Sequence, residues 1–437
     1  MKLAIVGAGI SGLTCAHLLD PHHDVVVFEA ADYLGGHTNT IDVETPAGVQ
    51  PVDTGFIVLN DRNYPGFTRL LARLGVETAP TEMSFSVSSN GSGGVEYKGG
   101  GGPNGLFAQR SNLTRPSFLR MLRDIARFNR EGKALVEQAR AQANGNGDRA
   151  MREGEWLAPR SGGPTLGELL EDGGYGPELA EHHLIPAASA IWSTEPERMA
   201  EFPALYLLAF FDNHGMLEVR GRPQWRYIPG GSRRYVDAIA AQLRGRVETR
   251  APVDRIVRRE GDVLVSAAGR GPEPFDEVIV AAHSDQALRM LGDAGDAERR
   301  VLGAIPYQPN EAVLHSDEEM LPNRRRAWAS WNYHLNGSGG QTALTYWMNS
   351  LQGIPEDRGN LCVTLNRTEQ IAPASVLDVV AYEHPLFTVA GVEAQREHGS
   401  LIRANRTSFC GAYWGWGFHE DGVRSAQRVC DSFGVTL

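Results

Sequence analysis

Cysteine is scarce in this chain, and it is never paired. The 437 residues hold four, Cys15, Cys362, Cys410 and Cys430, with no C-x-x-C and none of the spacing that a zinc site needs. A disulfide framework is thereby excluded, and a reducing cytoplasm is the expected compartment. Positive charge is also in deficit: 42 Lys and Arg stand against 53 Asp and Glu, for a formal net charge of -11. Polyanion binding draws its affinity from clustered cations, so nucleic acid is excluded as a general partner. Uninterrupted apolar runs are missing too. No stretch reaches the roughly 18 residues of a bilayer-spanning helix, which leaves peripheral contact as the only expected relation to a membrane. The apolar opening from Met1 to Leu19 is broken by glycines and lacks a basic leader, so it reads as strand and helix, not as a signal peptide. No internal repeat is visible.

What is present is an ordinary globular composition, 42% hydrophobic and 22% charged, in a chain long enough for two domains. Lys2 to Val6 forms a short apolar run, Gly7 to Gly12 a glycine turn, Leu13 to Leu19 a helical pattern and Val25 to Phe28 a second buried-strand run, which together make a βαβ opening. Helical spacing recurs from Tyr64 to Leu74 and from Pro116 to Ala143, the latter ended by Asn144-Gly145-Asn146-Gly147. Hairpin loops are expected at Ser88-Ser89-Asn90-Gly91 and Gly99 to Gly102. Thr165 to Trp192 reads as two helices and Met199 to Phe211 as another. Strand-length pieces follow at Val247–Arg250, Val253–Arg258, Val263–Ser266 and Phe275–Ala281, and a closing helix is expected from Asp421 to Phe433.

The chemistry starts in Val6-Gly7-Ala8-Gly9-Ile10-Ser11-Gly12. Its G-x-G-x-x-G spacing between strand and helix suits a dinucleotide: Gly7 makes the tight turn, Gly9 lets pyrophosphate approach the backbone, and Gly12 permits close packing. The helix N-terminus stabilises the diphosphate. Glu29, followed by Ala30, closes the second strand 17 positions after Gly12, where its carboxylate can accept from adenosine ribose hydroxyls. No second such motif is present, so a dedicated NADPH domain is not expected, and electrons must pass to oxygen or another acceptor.

Two further segments, Gly35-Gly36-His37-Thr38 and Asp53-Thr54-Gly55-Phe56, resemble the glycine-pair and D-x-G motifs of the flavin amine oxidases, phytoene desaturases and protoporphyrinogen oxidases. That resemblance implies FAD, with the first segment along the diphosphate and ribityl chain and the second near the isoalloxazine. His37 replaces the arginine frequent in the family, so a permanent cation is missing there. Tyr227-Ile228-Pro229-Gly230-Gly231-Ser232 resembles the P-x-G-G element, and Val253 stands where a backbone valine meets adenine. Phe409-Cys410-Gly411-Ala412 through Gly417-Phe418-His419-Glu420-Asp421-Gly422 resembles the carboxy-terminal flavin motif, whose helix N-terminus points at the flavin N1–C2=O edge. The resemblance thus implies cofactor contacts from Gly411, Phe418, His419, Glu420 and Asp421. His419 is the candidate catalytic residue, while Glu420 and Asp421 are equally well read as helix N-terminal carboxylates. Cys410 invites a flavin thioether, but small residues are common there in the family, which favours non-covalent binding.

The implied fold is α/β, a Rossmann-type FAD-binding domain with an interleaved mixed-sheet and helical substrate domain. The expected boundaries are 1–75, 222–290 and 400–437 for the first and 76–221 with 291–399 for the second. More closely, the chain resembles a bacterial subgroup of NAD/FAD-binding proteins and the flavin-binding region fused to plant cyclopropane fatty acid synthases. The lipid link makes oxidation, desaturation or isomerisation of a fatty acyl substrate the leading expectation, with a cyclopropane-synthase-like methyltransferase as a possible partner. A literal amine oxidase and a flavin-binding accessory protein stay open as alternatives. Aromatic segments such as Ile191-Trp192 and Tyr206 to Phe211 could line an apolar pocket.

Overall fold

The computed structural model describes residues 1–89, 94–100, 102–145, 163–218, 221–335 and 343–437; the turns expected at Asn90-Gly91 and Asn146-Gly147 lie outside them. At its centre is a parallel five-stranded sheet built from β1 (Lys2–Val6), β2 (Asp24–Phe28), β3 (Arg246–Glu248), β4 (Glu277–Val280) and β5 (Thr407–Phe409), in the order β3-β2-β1-β4-β5. Parallel strands covered on both faces read as continuous apolar runs, and Leu3, Ala4 and Ile5 of the middle strand are fully buried. The expected run from Phe275 to Ala281 divides in two. Glu273–Phe275 pairs antiparallel with Val263–Ala267, and only Glu277–Val280 joins the parallel sheet, in register with β1 through Leu3↔Glu277 to Val6↔Val280.

Six helices position the site: α1 (Ile10–Leu19), α2 (Pro65–Leu74), α3 (Pro116–Gly145), α4 (Ala204–Asn213), α5 (Arg233–Ala240) and α6 (His419–Asp431). All ten residues of α1 are buried, because the sheet covers one side and α6 packs on the helix as well. Helix α6 begins at His419, two residues earlier than its periodicity suggests. Asp421 supplies the reason: its carboxylate accepts from the backbone N–H of Phe418, the residue before the helix, so its charge acts from inside the first turn. Helix α4 starts only at Ala204, since Pro203 cannot extend a helix towards Met199.

A second, seven-stranded mixed sheet runs in the order Val376–Pro385, Tyr307–His315, Cys362–Leu365, Leu344–Trp347, Trp331–Leu335, Phe85–Ser89, Glu96–Gly99. The apolar residues of α4 and of Ile185–Trp192 form a separate helical core, with Trp192, Phe202 and Phe210 in contact. Among the described residues no helix is long and apolar enough to cross a membrane.

Candidate active site

A cavity of about 1570 Å³ joins the glycine turn to the space between the second sheet and the helical core. Its wall at the turn explains each glycine. At Gly7, φ is +100° and an added Cβ would sit 2.8 Å from the Ala281 carbonyl oxygen; at Gly12 it would sit 1.9 Å from that of Gly7. Gly9 differs, because its Cβ would meet only the Gly35 oxygen, 4.0 Å away. The backbone there is open to the cavity, and Gly9, Ile10 and Ser11 line it at the N-terminus of α1.

At the end of β2, Glu29 accepts from Ala8 N (2.7 Å) and Ala31 N (2.8 Å). One bond to each oxygen leaves lone pairs for hydroxyl donors. Ala30, Ala251 and Val253 line the cavity beside it, a small apolar slot fit for a nucleobase. Gly35 and Gly36 also face the cavity, and Gly36 packs its Cα side against Gly9, so that a Cβ would come 3.3 Å from the Gly9 Cα. His37 stacks on Tyr382, with ring centroids 4.7 Å apart, and has His384 and His283 beside it. Burial, reinforced by those histidines, holds its pKa well below the usual value. The ring is neutral, and Nε2 has no hydrogen-bond partner among the described residues. No cation therefore stands where the family places one.

Thr54, Gly55 and Phe56 line the cavity, but Asp53 does not. Its carboxylate accepts from Thr40 Oγ1 (2.6 Å), Ser232 N and Oγ (2.9 and 2.8 Å) and Gln352 Nε2 (3.0 Å), tying the D-x-G segment to the Gly230-Gly231 turn and the substrate side. Burial raises its pKa to about 6. Thr38 is likewise set behind the wall, bonded to Tyr235 and to His419. Gly12 and Ala8 are not lining residues either, the first serving helix packing and the second orienting Glu29.

At the carboxy-terminal motif Gly411, Phe418 and His419 line the cavity, whereas Glu420 and Asp421 do not. Glu420 accepts from Gly66 N and Phe67 N in the first turn of α2, and Asp421 from Trp416 N and Phe418 N. Asp53, Thr38, Glu420 and Asp421 thus stand outside the cavity lining: the carboxylates accept from buried donors and Thr38 bonds Tyr235 and His419, which holds the cradle in shape. His419, the candidate catalytic residue, stands on the cavity wall. Its Nε2 lies 2.9 Å from Thr38 Oγ1 and 3.2 Å from Tyr235 OH, and burial lowers its pKa to about 3, so it is a neutral wall. Cys410 is fully buried, its Sγ 3.9 Å from that of Cys15, and it is not part of the cavity lining.

Sequence reasoning overlooked His283, Tyr307, Tyr382 and His384, all of which line the cavity. His283 had a signal, since it follows a parallel strand at the carboxyl end of the sheet, where ligands bind. Tyr382 and His384 had none, because only the long-range pairing of Val376–Pro385 with Tyr307–His315 brings them there. The substrate half of the cavity is lined by residues including Phe85, Leu122, Ile125, Ile191 and Phe210. Of the charged groups there, Lys98 pairs with Glu82 and Glu218 with Lys133. Arg222 finds among the described residues only the carbonyl of Glu218.

Comparison with known proteins agrees with this geometry. Residues 10–347 match the family described as flavin containing amine oxidoreductase. The Mycobacterium tuberculosis protein AofH, named as a flavin-containing monoamine oxidase, is 27% identical over 349 residues, 78% of this chain and 68% of that protein. Among solved structures, putrescine oxidase bound to putrescine superposes with a TM-score of 0.67 at 17% identity over 99% of both chains. A CLA-producing fatty acid isomerase from P. acnes does so with 0.65 at 14%, over 99% of this chain and 98% of that one. The open glycine turn, the carboxylate at the end of β2 and the family match together mean that this chain belongs to the flavin containing amine oxidoreductases and is an FAD-dependent oxidoreductase with their fold.

Proposed function

We propose that the enzyme acts on an apolar acyl chain, desaturating it or moving a double bond, with FAD supplying the hydride chemistry when bound. The supporting observation is the sign and polarity of the substrate wall. It is largely apolar and aromatic around Ile125, Ile191 and Phe210, where Glu218 is neutralised by Lys133 and the Arg222 cation has no ionic partner among the described residues; a further carboxylate, Glu383 of the second sheet, lies beside His384 and 3.5 Å from His283, towards the glycine turn. An ammonium group brought against the apolar wall beside Arg222 would be desolvated next to a like charge, at a cost of several kcal/mol. A long-chain carboxylic acid suits the same wall. The likeness to the fatty acid isomerase supports the fold alone, and it is the resemblance noted in the sequence to the flavin region of plant cyclopropane fatty acid synthases that suggests modified acyl chains.

The chain's own part is to bind, orient and keep water out. Ile125, Ile191 and Phe210 would strip water from the chain, and the neutral histidines carry no charge to compete. An anaerobic visible spectrum with added unsaturated or methylated fatty acids tests the reading. Bleaching of the oxidised flavin bands means net oxidation; a persistent spectrum with a relocated double bond in the recovered lipid means isomerisation. If amines bleach the flavin and release peroxide in air while acyl chains do neither, the reading fails and amine oxidation replaces it.

A further inference from the structure

Helix α3 and the 3-10 turn before it, Arg110–Thr114, oppose the charge of the rest of the molecule. From Arg110 to Arg140 there are eight basic residues against three acidic ones, in a chain with a formal net charge of -11. Four of the cations are held by carboxylates: Arg120 by Glu178, Arg127 by Glu131, Lys133 by Glu218 and Arg140 by Asp212. Arg123 and Arg130 are not held in this way. Their side chains are 74% and 75% exposed. The nearest carboxylates, the buried Asp124 at 3.4 Å and the already shared Glu131 at 3.5 Å, are at the margin of contact.

These two cations do not stand alone. Leu119, Arg123, Ala126 and Arg130 follow one another at intervals of four, three and four residues, and all four are exposed. At about 100° per residue they form one stripe along the helix. Leu119 is 45% exposed, and Leu113, in the preceding turn, 51%. Roughly a quarter-turn round the same helix, Leu122, Ile125 and Asn129 line the substrate half of the cavity. A single helix therefore presents arginine and leucine outward and walls the cavity with its adjoining face.

We propose that α3 with the Arg110–Thr114 turn is the docking surface for an anionic lipid bilayer, and that it sets the cavity against the source of an apolar substrate. Helices that lie in a membrane interface combine basic side chains with embedded apolar ones, and exposed arginines are drawn to the negative surface of acidic lipids. An acidic protein or a nucleic acid would use the arginines but leave Leu113 and Leu119 in water. The surface goes beyond the acyl-chain reading, since it binds lipid whatever the cavity converts.

Vesicle flotation of the FAD-loaded protein tests this without reference to turnover. Vesicles of phosphatidylcholine mixed with phosphatidylserine should carry the protein, those of phosphatidylcholine alone should not, and added salt should release it. The double variant Arg123→Glu, Arg130→Glu should lose binding by about tenfold or more, and Leu119→Ser should weaken it at unchanged salt sensitivity. Because these side chains are exposed, thermal melts and flavin content should match the unmodified protein. Failure of the unmodified protein to bind the acidic vesicles overturns the proposal, as does undiminished binding by the double variant. So does indifference to Leu119→Ser together with equal competition by polyglutamate, which would mark a patch for acidic polymers.

Discussion

His419 lies flat on Phe56, their ring centroids 3.6 Å apart and their planes 15° from parallel. The contact joins the N-terminus of α6 to the D-x-G segment, two pieces of chain more than 300 residues apart in sequence. With the imidazole neutral, the stack is one of uncharged rings, worth about 1 kcal/mol beyond burial. A double-mutant cycle with Phe56→Ala and His419→Ala, read by urea denaturation of the flavin-free protein, should give a coupling of about that size. It should be the same at pH 6 and pH 8. A coupling that grows towards acid pH would mean that the ring takes a proton in the fold.

The glycine turn separates two kinds of damage. Gly9→Ala adds a methyl group that faces the cavity, with its nearest contact at 4.0 Å, whereas at Gly12 the methyl would be driven against the Gly7 oxygen at 1.9 Å. Gly9→Ala should therefore melt like the flavin-free protein while its flavin-to-protein absorbance ratio collapses. Gly12→Ala should lose helix packing, with a fall in melting temperature before any question of cofactor arises. Equal flavin retention by Gly9→Ala and the unmodified protein would show that the diphosphate does not approach Gly9.

The turn, the β2 carboxylate and the glycine pair were legible in the sequence because each is a local rule: a glycine where no Cβ fits, an acid at a strand end. Asp53, Glu420 and Asp421 belong to motifs just as visible, yet their carboxylates turn from the cavity to bind backbone N–H groups at Ser232, Gly66, Phe67, Trp416 and Phe418. Motif membership marks the neighbourhood of a ligand; which way a side chain points depends on donors from distant segments. Tyr382 and His384 show the converse, reaching the cavity through a strand pairing that no local pattern announces.

Buried neutral histidines give the fold a definite response to acid. His334 and His315, in the second sheet and away from the cavity, are lowered to about 3 and about 4 by burial. A base with a depressed folded pKa contributes stability that is full above its unfolded value near 6.5 and is lost as pH falls towards the folded one. Melting temperature should drop between pH 6.5 and 4, and His334→Gln should flatten that drop by about 1.4 kcal/mol per pH unit, one proton's share. Glu420 acts with the opposite sign: burial raises it to about 7, so its contribution is full below about 4.5 and fades as pH rises through 7. Glu420→Gln should make the acid loss steeper. Parallel profiles for all three proteins would contradict both assignments.

Arg222 makes the acyl-chain reading specific enough to fail. The guanidinium lies on the cavity wall with the Glu218 carbonyl as its hydrogen-bond partner among the described residues, and a carboxylate arriving at the end of an apolar chain would give it an ionic one. An Arg–carboxylate pair at a half-exposed rim is worth about 1 kcal/mol, more if bidentate. Arg222→Gln should therefore weaken binding of a long-chain free acid about fivefold to tenfold, while the methyl ester of the same acid, which has no charge to lose, should bind both proteins alike. Arg222→Lys should recover part of the loss, since a point charge replaces the fork. If ester and acid weaken together, Arg222 shapes the mouth and does not read the carboxylate. If neither changes, the acid end of the chain lies elsewhere in the cavity.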